Sequence, residues 1–92
     1  MSRLITIPKN TPVEVAKGEI SRNNERLTNL GLGVKALGEL LFTAADAGEL
    51  GKETAACTGY LLNELGGVIS DTLNMNTMLS IHIQAAEQEG RK

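Results

Sequence analysis

Residues 27–44 read LTNLGLGVKALGELLFTA, and this stretch decides the fold. Its larger apolar side chains recur with alternating spacings of three and four residues, from Leu27 to Leu41. That spacing is the heptad pattern of a helix that packs one narrow seam against a neighbouring helix. The seam consists of Leu27, Leu30, Val34, Leu37 and Leu41, and the same phase continues at Ala44 and backward at Asn23, Ile20, Ala16 and Val13.

Three glycines interrupt this stretch without breaking its phase. Gly31, Gly33 and Gly38 each disfavour a helix interior by about 1 kcal/mol relative to alanine. The unbroken heptad nevertheless favours one continuous helix, although a bend at Gly31–Gly33 is the alternative. We expect the glycines to allow close approach of a facing helix. The predicted helix covers about residues 21–47 and ends in the Gly-rich segment 47–51.

A second, longer helix is predicted over about residues 52–89. Its apolar residues cover an arc of roughly 160° at 100° per residue, wider than the roughly 100° stripe of an ordinary surface helix. Cys57 lies at the edge of this arc and is expected to behave as a small buried apolar residue. The arc contains Cys57, Thr58, Leu61, Leu62, Leu65, Val68, Ile69, Thr72, Leu73, Met75, Leu79 and Ile83.

The short connection makes the two helices antiparallel neighbours, so the predicted fold is a mainly all-α helical hairpin. One neighbouring helix does not cover the whole arc of the second helix. We therefore predict a homodimer in which two hairpins form a four-helix bundle, with a compact monomer as the alternative. The core seam of the second helix is predicted at Leu61, Leu65, Val68, Thr72 and Leu79.

Residues 1–20 differ from the helical region 21–92 and are predicted to form an N-terminal arm. The β-prone run 4–7 is followed by Pro8 and Pro12, which exclude a helix across that stretch. An extended or hairpin-like arm is favoured, and in a monomer it would fold over the open face of the hairpin. The alternative is a helix that begins near Thr11-Pro12-Val13-Glu14, where proline suits a helix start.

Composition excludes several classes of protein. With a net charge of −2, the 92-residue chain is not a general polyanion binder. A single Cys and a single His exclude a disulfide framework and a structural zinc site. The sequence has no apolar run long enough to span a membrane and no signal peptide pattern, so a cytoplasmic location is expected.

No catalytic constellation is apparent. Cys57 and His82 lie 25 positions apart on one predicted helix, which separates them by about 37 Å. The glycines lack the Lys-Ser/Thr pair of a phosphate-binding loop. We therefore expect a protein that is not an enzyme and that uses no metal or cofactor.

The second helix also carries a candidate partner-binding stripe beside its apolar arc. The stripe combines an aromatic residue and a thioether with carboxylates, as protein-binding surfaces often do. The simpler interpretation is that Tyr60 packs on the first helix, that Met78 fills an edge of the bundle, and that the acids are solvated. The stripe contains Glu53, Tyr60, Glu64, Asp71, Met78 and His82.

Charge is distributed unevenly along the chain. Residues 1–35 hold six basic and three acidic side chains, whereas residues 36–90 hold one basic and eight acidic. This asymmetry favours an interaction module that binds a protein through an acidic helical face. Inhibitors, antitoxins and assembly adaptors of phages or mobile elements are modules of this size.

The alternative function is a small dimeric regulator associated with nucleic acid. Its basic N-terminal half would contact phosphates and base edges through arginine and asparagine side chains. The absence of a neighbouring aromatic residue and the presence of Glu25 weigh against this interpretation. The candidate residues are Arg22, Asn23, Asn24 and Arg26.

Overall fold

The computed structural model describes residues 7–90 and contains two long helices. Helix α1 spans Val13–Asp46 and helix α2 spans Lys52–Gln88. The two helices pack against each other as a hairpin with extents of 61 × 23 × 14 Å. Within residues 7–90 no strand is present, which confirms the all-helical hairpin.

The predicted seam of α1 lies on the covered side of the helix. All ten positions of the heptad, from Val13 to Ala44, are buried or half-buried, and α1 runs unbroken through Gly31 and Gly33. The facing line of α2 follows the same alternation of three and four residues from Leu65 onward. It consists of Leu65, Ile69, Thr72, Asn76, Leu79, Ile83 and Ala86.

The buried core lies entirely at the open end of the hairpin. Val13 and Ala16 of α1 pack with Leu79, Ile83 and Ala86 of α2, and Ala16 has no exposed surface. The partly buried residues Ile7, Ile20 and Met75 pack around this cluster.

The other end of the hairpin has no buried residue. We call residues 24–71 the loop half; every side chain in this range is half-buried or exposed. Large apolar side chains are exposed here, which is unusual for a self-sufficient domain. They are Leu32, Leu40, Phe42, Tyr60, Leu61, Leu62 and Val68.

Helix α1 begins eight residues earlier than predicted. Residues 13–20 are helical rather than part of an extended arm, so the expected boundary at residue 21 was wrong. The physical reason is packing, because Val13, Ala16 and Ile20 follow the helical seam and face the end of α2. Pro12 lies at the N-cap in an extended conformation and makes no side-chain capping hydrogen bond. The predicted β-prone residues 4–6 lie outside the described residues.

The connection between the helices is a Schellman turn. The Gly48 N–H donates to the Ala45 carbonyl at 3.0 Å, and the Glu49 N–H donates to the Ala44 carbonyl at 2.8 Å. Gly48 has a φ of 72°, a left-handed conformation that glycine adopts without steric cost. The predicted helix end at a glycine is therefore confirmed.

The expected close approach at the helix glycines is not present. A Cβ atom built at Gly31, Gly33 or Gly38 has no neighbour within 4 Å. The seam positions between the glycines, rather than the glycines themselves, face α2. Within the single hairpin, these glycines therefore lower helix stability without improving packing.

Replacing Gly31 by alanine is expected to stabilise the hairpin by about 0.5–1 kcal/mol, because the new methyl group has open space and alanine favours the helix. Urea denaturation followed by circular dichroism measures this change. Gly48→Ala serves as the contrast and should destabilise the fold, since its backbone is left-handed. A loss of stability with Gly31→Ala would show that Gly31 has a close neighbour, which the new methyl group displaces.

Neither α1 nor α2 is long and apolar enough to cross a membrane.

Candidate functional site

A polar layer fixes how the two helices align. The Asn23 Nδ2 donates to the Asn76 Oδ1 at 2.8 Å, and the Asn76 Nδ2 donates to the Asn24 Oδ1 at 3.0 Å. Thr72 satisfies its hydroxyl locally by donating to the Val68 carbonyl at 2.8 Å. A cross-helix amide pair sets the register, since a slipped hairpin would leave amides unsatisfied.

Residues 7–11 form a short strap across one side of the open end. A turn closes the strap through the Thr11 N–H, which donates to the Pro8 carbonyl at 3.1 Å. Ile7 packs on the core cluster, and the His82 Nε2 lies 2.7 Å from the Thr11 carbonyl oxygen. Because a carbonyl oxygen only accepts, Nε2 carries the proton in this contact. Of the predicted arm, residues 7–11 therefore fold over the hairpin at its open end.

The strap defines two sides of the hairpin. A cavity of about 420 Å³ is lined by strap residues together with Arg26, Asp71 and Met75. We call this the strap side. Asn24 bonds to Asn76 on the other flank of the seam, and Lys17 contacts Glu87 there at 3.8 Å.

On α2, the strap side carries a line of apolar residues that is covered only at one end. Positions seven residues apart share a line on helices packed by heptads. Met75 is half-buried beside the strap and the core. Val68 and Leu61 continue its line toward the loop, where their side chains are 46% and 49% exposed. Both were predicted as core seam positions, but neither is buried in the single hairpin.

On α1, the strap side carries Arg26, Gly33 and Leu40, which are also seven residues apart. Arg26 and Gly33 line a shallow groove of about 640 Å³ that also includes Leu65 of α2. Leu40 is exposed. We define the strap-side face by six residues: Arg26, Gly33 and Leu40 of α1 with Leu61, Val68 and Asp71 of α2.

The predicted acidic stripe is split between exposed and partly covered positions. Tyr60 is 70% exposed, and Met78, Glu53 and Glu64 are also exposed. His82 bonds to the strap and Asp71 lines the cavity beside it, so these two are half-buried. Tyr60 therefore does not pack on α1, which was the simpler interpretation.

The predicted nucleic-acid-binding residues also fall into two groups, the asparagines that bond to α2 and the arginines that do not. Asn23 is buried, and both Asn23 and Asn24 bond to Asn76 rather than projecting freely. Arg22 forms an ion pair with Glu19 on its own helix. Both asparagines are engaged inside the hairpin, so the alternative rests on Arg22 and Arg26.

The residues with nucleophilic or metal-binding chemistry stay apart. Cys57 is exposed rather than buried, so its expected role as a core residue was wrong. It lies in the loop half, whereas His82 lies beside the strap at the other end of α2. Among residues 7–90, no three His, Cys, Asp or Glu side chains are grouped so as to hold a metal ion.

Comparison of the chain with protein-family models, curated proteins and solved structures gave no significant match.

Sequence reasoning missed the asymmetry between the two ends of the hairpin. An arm over the open face was expected for a monomer, but not that this cover stops at the open end and leaves Val68 and Leu61 exposed. One signal was present, because the segment between Pro8 and Pro12 is short and follows Ile7, an apolar residue available to anchor it. The concentration of helix glycines between residues 31 and 67 was a second signal of weak packing in the loop half.

Proposed function

We propose that this protein is a non-enzymatic interaction module whose loop half binds other polypeptides. One observation carries the proposal: residues 24–71 contain no buried side chain, although they form well-defined helices with many exposed apolar residues. Contiguous exposed apolar surface is typical of interaction sites.

The acidic stripe supplies the second part of the proposal. Tyr60 lies exposed between Glu53 and Glu64 on the outer side of α2. Tyrosine contributes strongly to protein interfaces, because a large rigid side chain is buried at small entropic cost. A partner with a basic surface and a pocket for an aromatic ring would fit this stripe. We propose that the working unit is a homodimer in which Glu53, Tyr60 and Glu64 of each stripe face outward.

Glu53→Lys combined with Tyr60→Ala is expected to reduce capture of the partner at least about tenfold, because it removes an aromatic anchor and reverses a charge. Affinity capture from host lysate with quantitative mass spectrometry measures the loss, and circular dichroism checks that helicity is retained.

A matched variant, Phe42→Ala with Asp46→Lys, makes the same kinds of change on the exposed surface of α1. Proteins retained by the natural chain and by this control, but lost from the stripe variant, identify the partner. Equal capture by all three proteins would remove the acidic stripe as the binding surface.

A further inference from the structure

We propose that the strap-side face of the loop half is covered by a second copy of this chain. The two copies lie parallel, with both loops at the same end, and α1 of each copy packs on α2 of the other. This inference rests on the proposed function in that both place binding in the loop half. The two surfaces share Asp71, whereas the partner-capture experiment changes Glu53 and Tyr60, which lie outside the strap-side face.

The first argument is continuity with a packed surface. Met75 lies on the same line of α2 as Val68 and Leu61, and the chain covers this line beside the strap. Beyond the strap, the same apolar line continues without cover. The strap covers this line only at the open end. Val68 and Leu61 therefore form an apolar surface, continuous with a packed one, that no described part of the chain covers.

The second argument is the fit of shapes. Counting equal rises from the Asn23–Asn76 pair places Val68 at the level of residue 31 and Leu61 at the level of residue 38. Gly33 and Leu40, the strap-side residues, each lie two residues further along α1, a rise of about 3 Å. A two-fold axis parallel to the helices places the partner's α1 over this chain's α2 at the same level. Val68 then meets the partner's Gly33, where a Cβ has open space, and Leu61 meets the partner's Leu40.

The third argument is charge complementarity. Arg26 and Asp71 line the same cavity on the strap side, one on each helix. The same two-fold axis places Arg26 of each copy over the partner's Asp71. The antiparallel alternative, with loops at opposite ends, places the acidic α2 of one copy over the acidic α2 of the other. Opposed like charges disfavour that arrangement.

Gly33→Leu tests the shape argument, with Gly31→Leu as the matched control two residues away on the other side of α1. Neither Cβ meets an atom of the hairpin, so both variants should fold with undiminished helicity. Gly33→Leu is expected to weaken dimerisation by about tenfold to a hundredfold through overpacking, whereas Gly31→Leu leaves it unchanged. Sedimentation velocity over a concentration series measures both.

Charge exchange tests the same face without altering a glycine. Arg26→Glu alone and Asp71→Arg alone are each expected to weaken the dimer by about tenfold, because each opposes like charges. The double variant Arg26→Glu/Asp71→Arg restores opposite charges across the interface and should recover most of the affinity. This test stays valid if Gly33→Leu fails to fold.

Spin labels at the loop decide the orientation. Cys57 is the single cysteine, so Glu49→Cys with Cys57→Ser gives one label at the exposed loop. Parallel copies place the two labels at one end, about 20 Å apart across the bundle. Antiparallel copies separate them by at least about 35 Å, the length of the loop half. Double electron–electron resonance measures the distance.

Three results would overturn the proposal: a monomer at every concentration, a dimer insensitive to both Gly33→Leu and charge exchange, or labels at the long distance. Failure of the proposed function gives a different pattern. If the proposed function is wrong, the Glu53→Lys/Tyr60→Ala variant captures as much partner as the natural chain. A dimer that is still weakened by Gly33→Leu and by the single charge changes would then support the inference by itself.

Discussion

Leu79→Ala is expected to destabilise the hairpin by about 2–5 kcal/mol, the largest loss expected from truncating one buried side chain among the described residues. Leu79 is almost completely buried in a core that, among residues 7–90, contains only four other buried apolar residues. A core this small does not compensate for a lost neighbour by repacking. Because small domains are stable by only about 5–15 kcal/mol, this loss is a large share of the total and should clearly lower the urea concentration at the unfolding midpoint.

Urea denaturation at fixed protein concentration, followed by circular dichroism, measures this loss. Leu32→Ala is the matched control, since Leu32 is 63% exposed and its truncation should change stability by no more than about 0.5 kcal/mol. Similar losses for both variants would show that the core extends into the loop half.

Asn76→Leu is expected to destabilise the hairpin by about 1–3 kcal/mol, the second large effect. The substitution removes the acceptor of Asn23, a buried side chain whose amide then has no partner. An unsatisfied buried amide costs its full desolvation free energy, which exceeds the gain from one additional apolar side chain.

The double variant Asn23→Leu/Asn76→Leu distinguishes the cost of leaving one buried amide unpaired from the cost of losing the Asn23–Asn76 hydrogen bond itself. With both amides replaced, the layer becomes apolar, and stability should recover to at least that of the natural chain. Asn74→Leu is the control, because Asn74 is exposed and lies two residues away on the same helix. Additive effects of the two single changes, measured by urea denaturation, would contradict direct coupling between Asn23 and Asn76.

The sequence alone determined the helical hairpin and the packing line of α1. The heptad from Val13 to Ala44 identified every packing position of α1, because helix periodicity is a local property that tertiary contacts do not shift. The glycine at position 48 marked the helix end for an equally local reason, its left-handed backbone. The start of α1 was misplaced because Pro8, Pro12 and Gly18 are compatible with both an extended arm and a helix.

Only the tertiary structure decided where the seam is buried and what covers α2. The same heptad runs the whole length of α1, yet side chains are buried only near the open end, where the strap and α2 close over them. Burial depends on atoms distant in sequence, and periodicity contains no information about whether a third layer is present. For the same reason, the exposed positions of Val68 and Leu61 followed from the path of residues 7–11 rather than from their own apolar character.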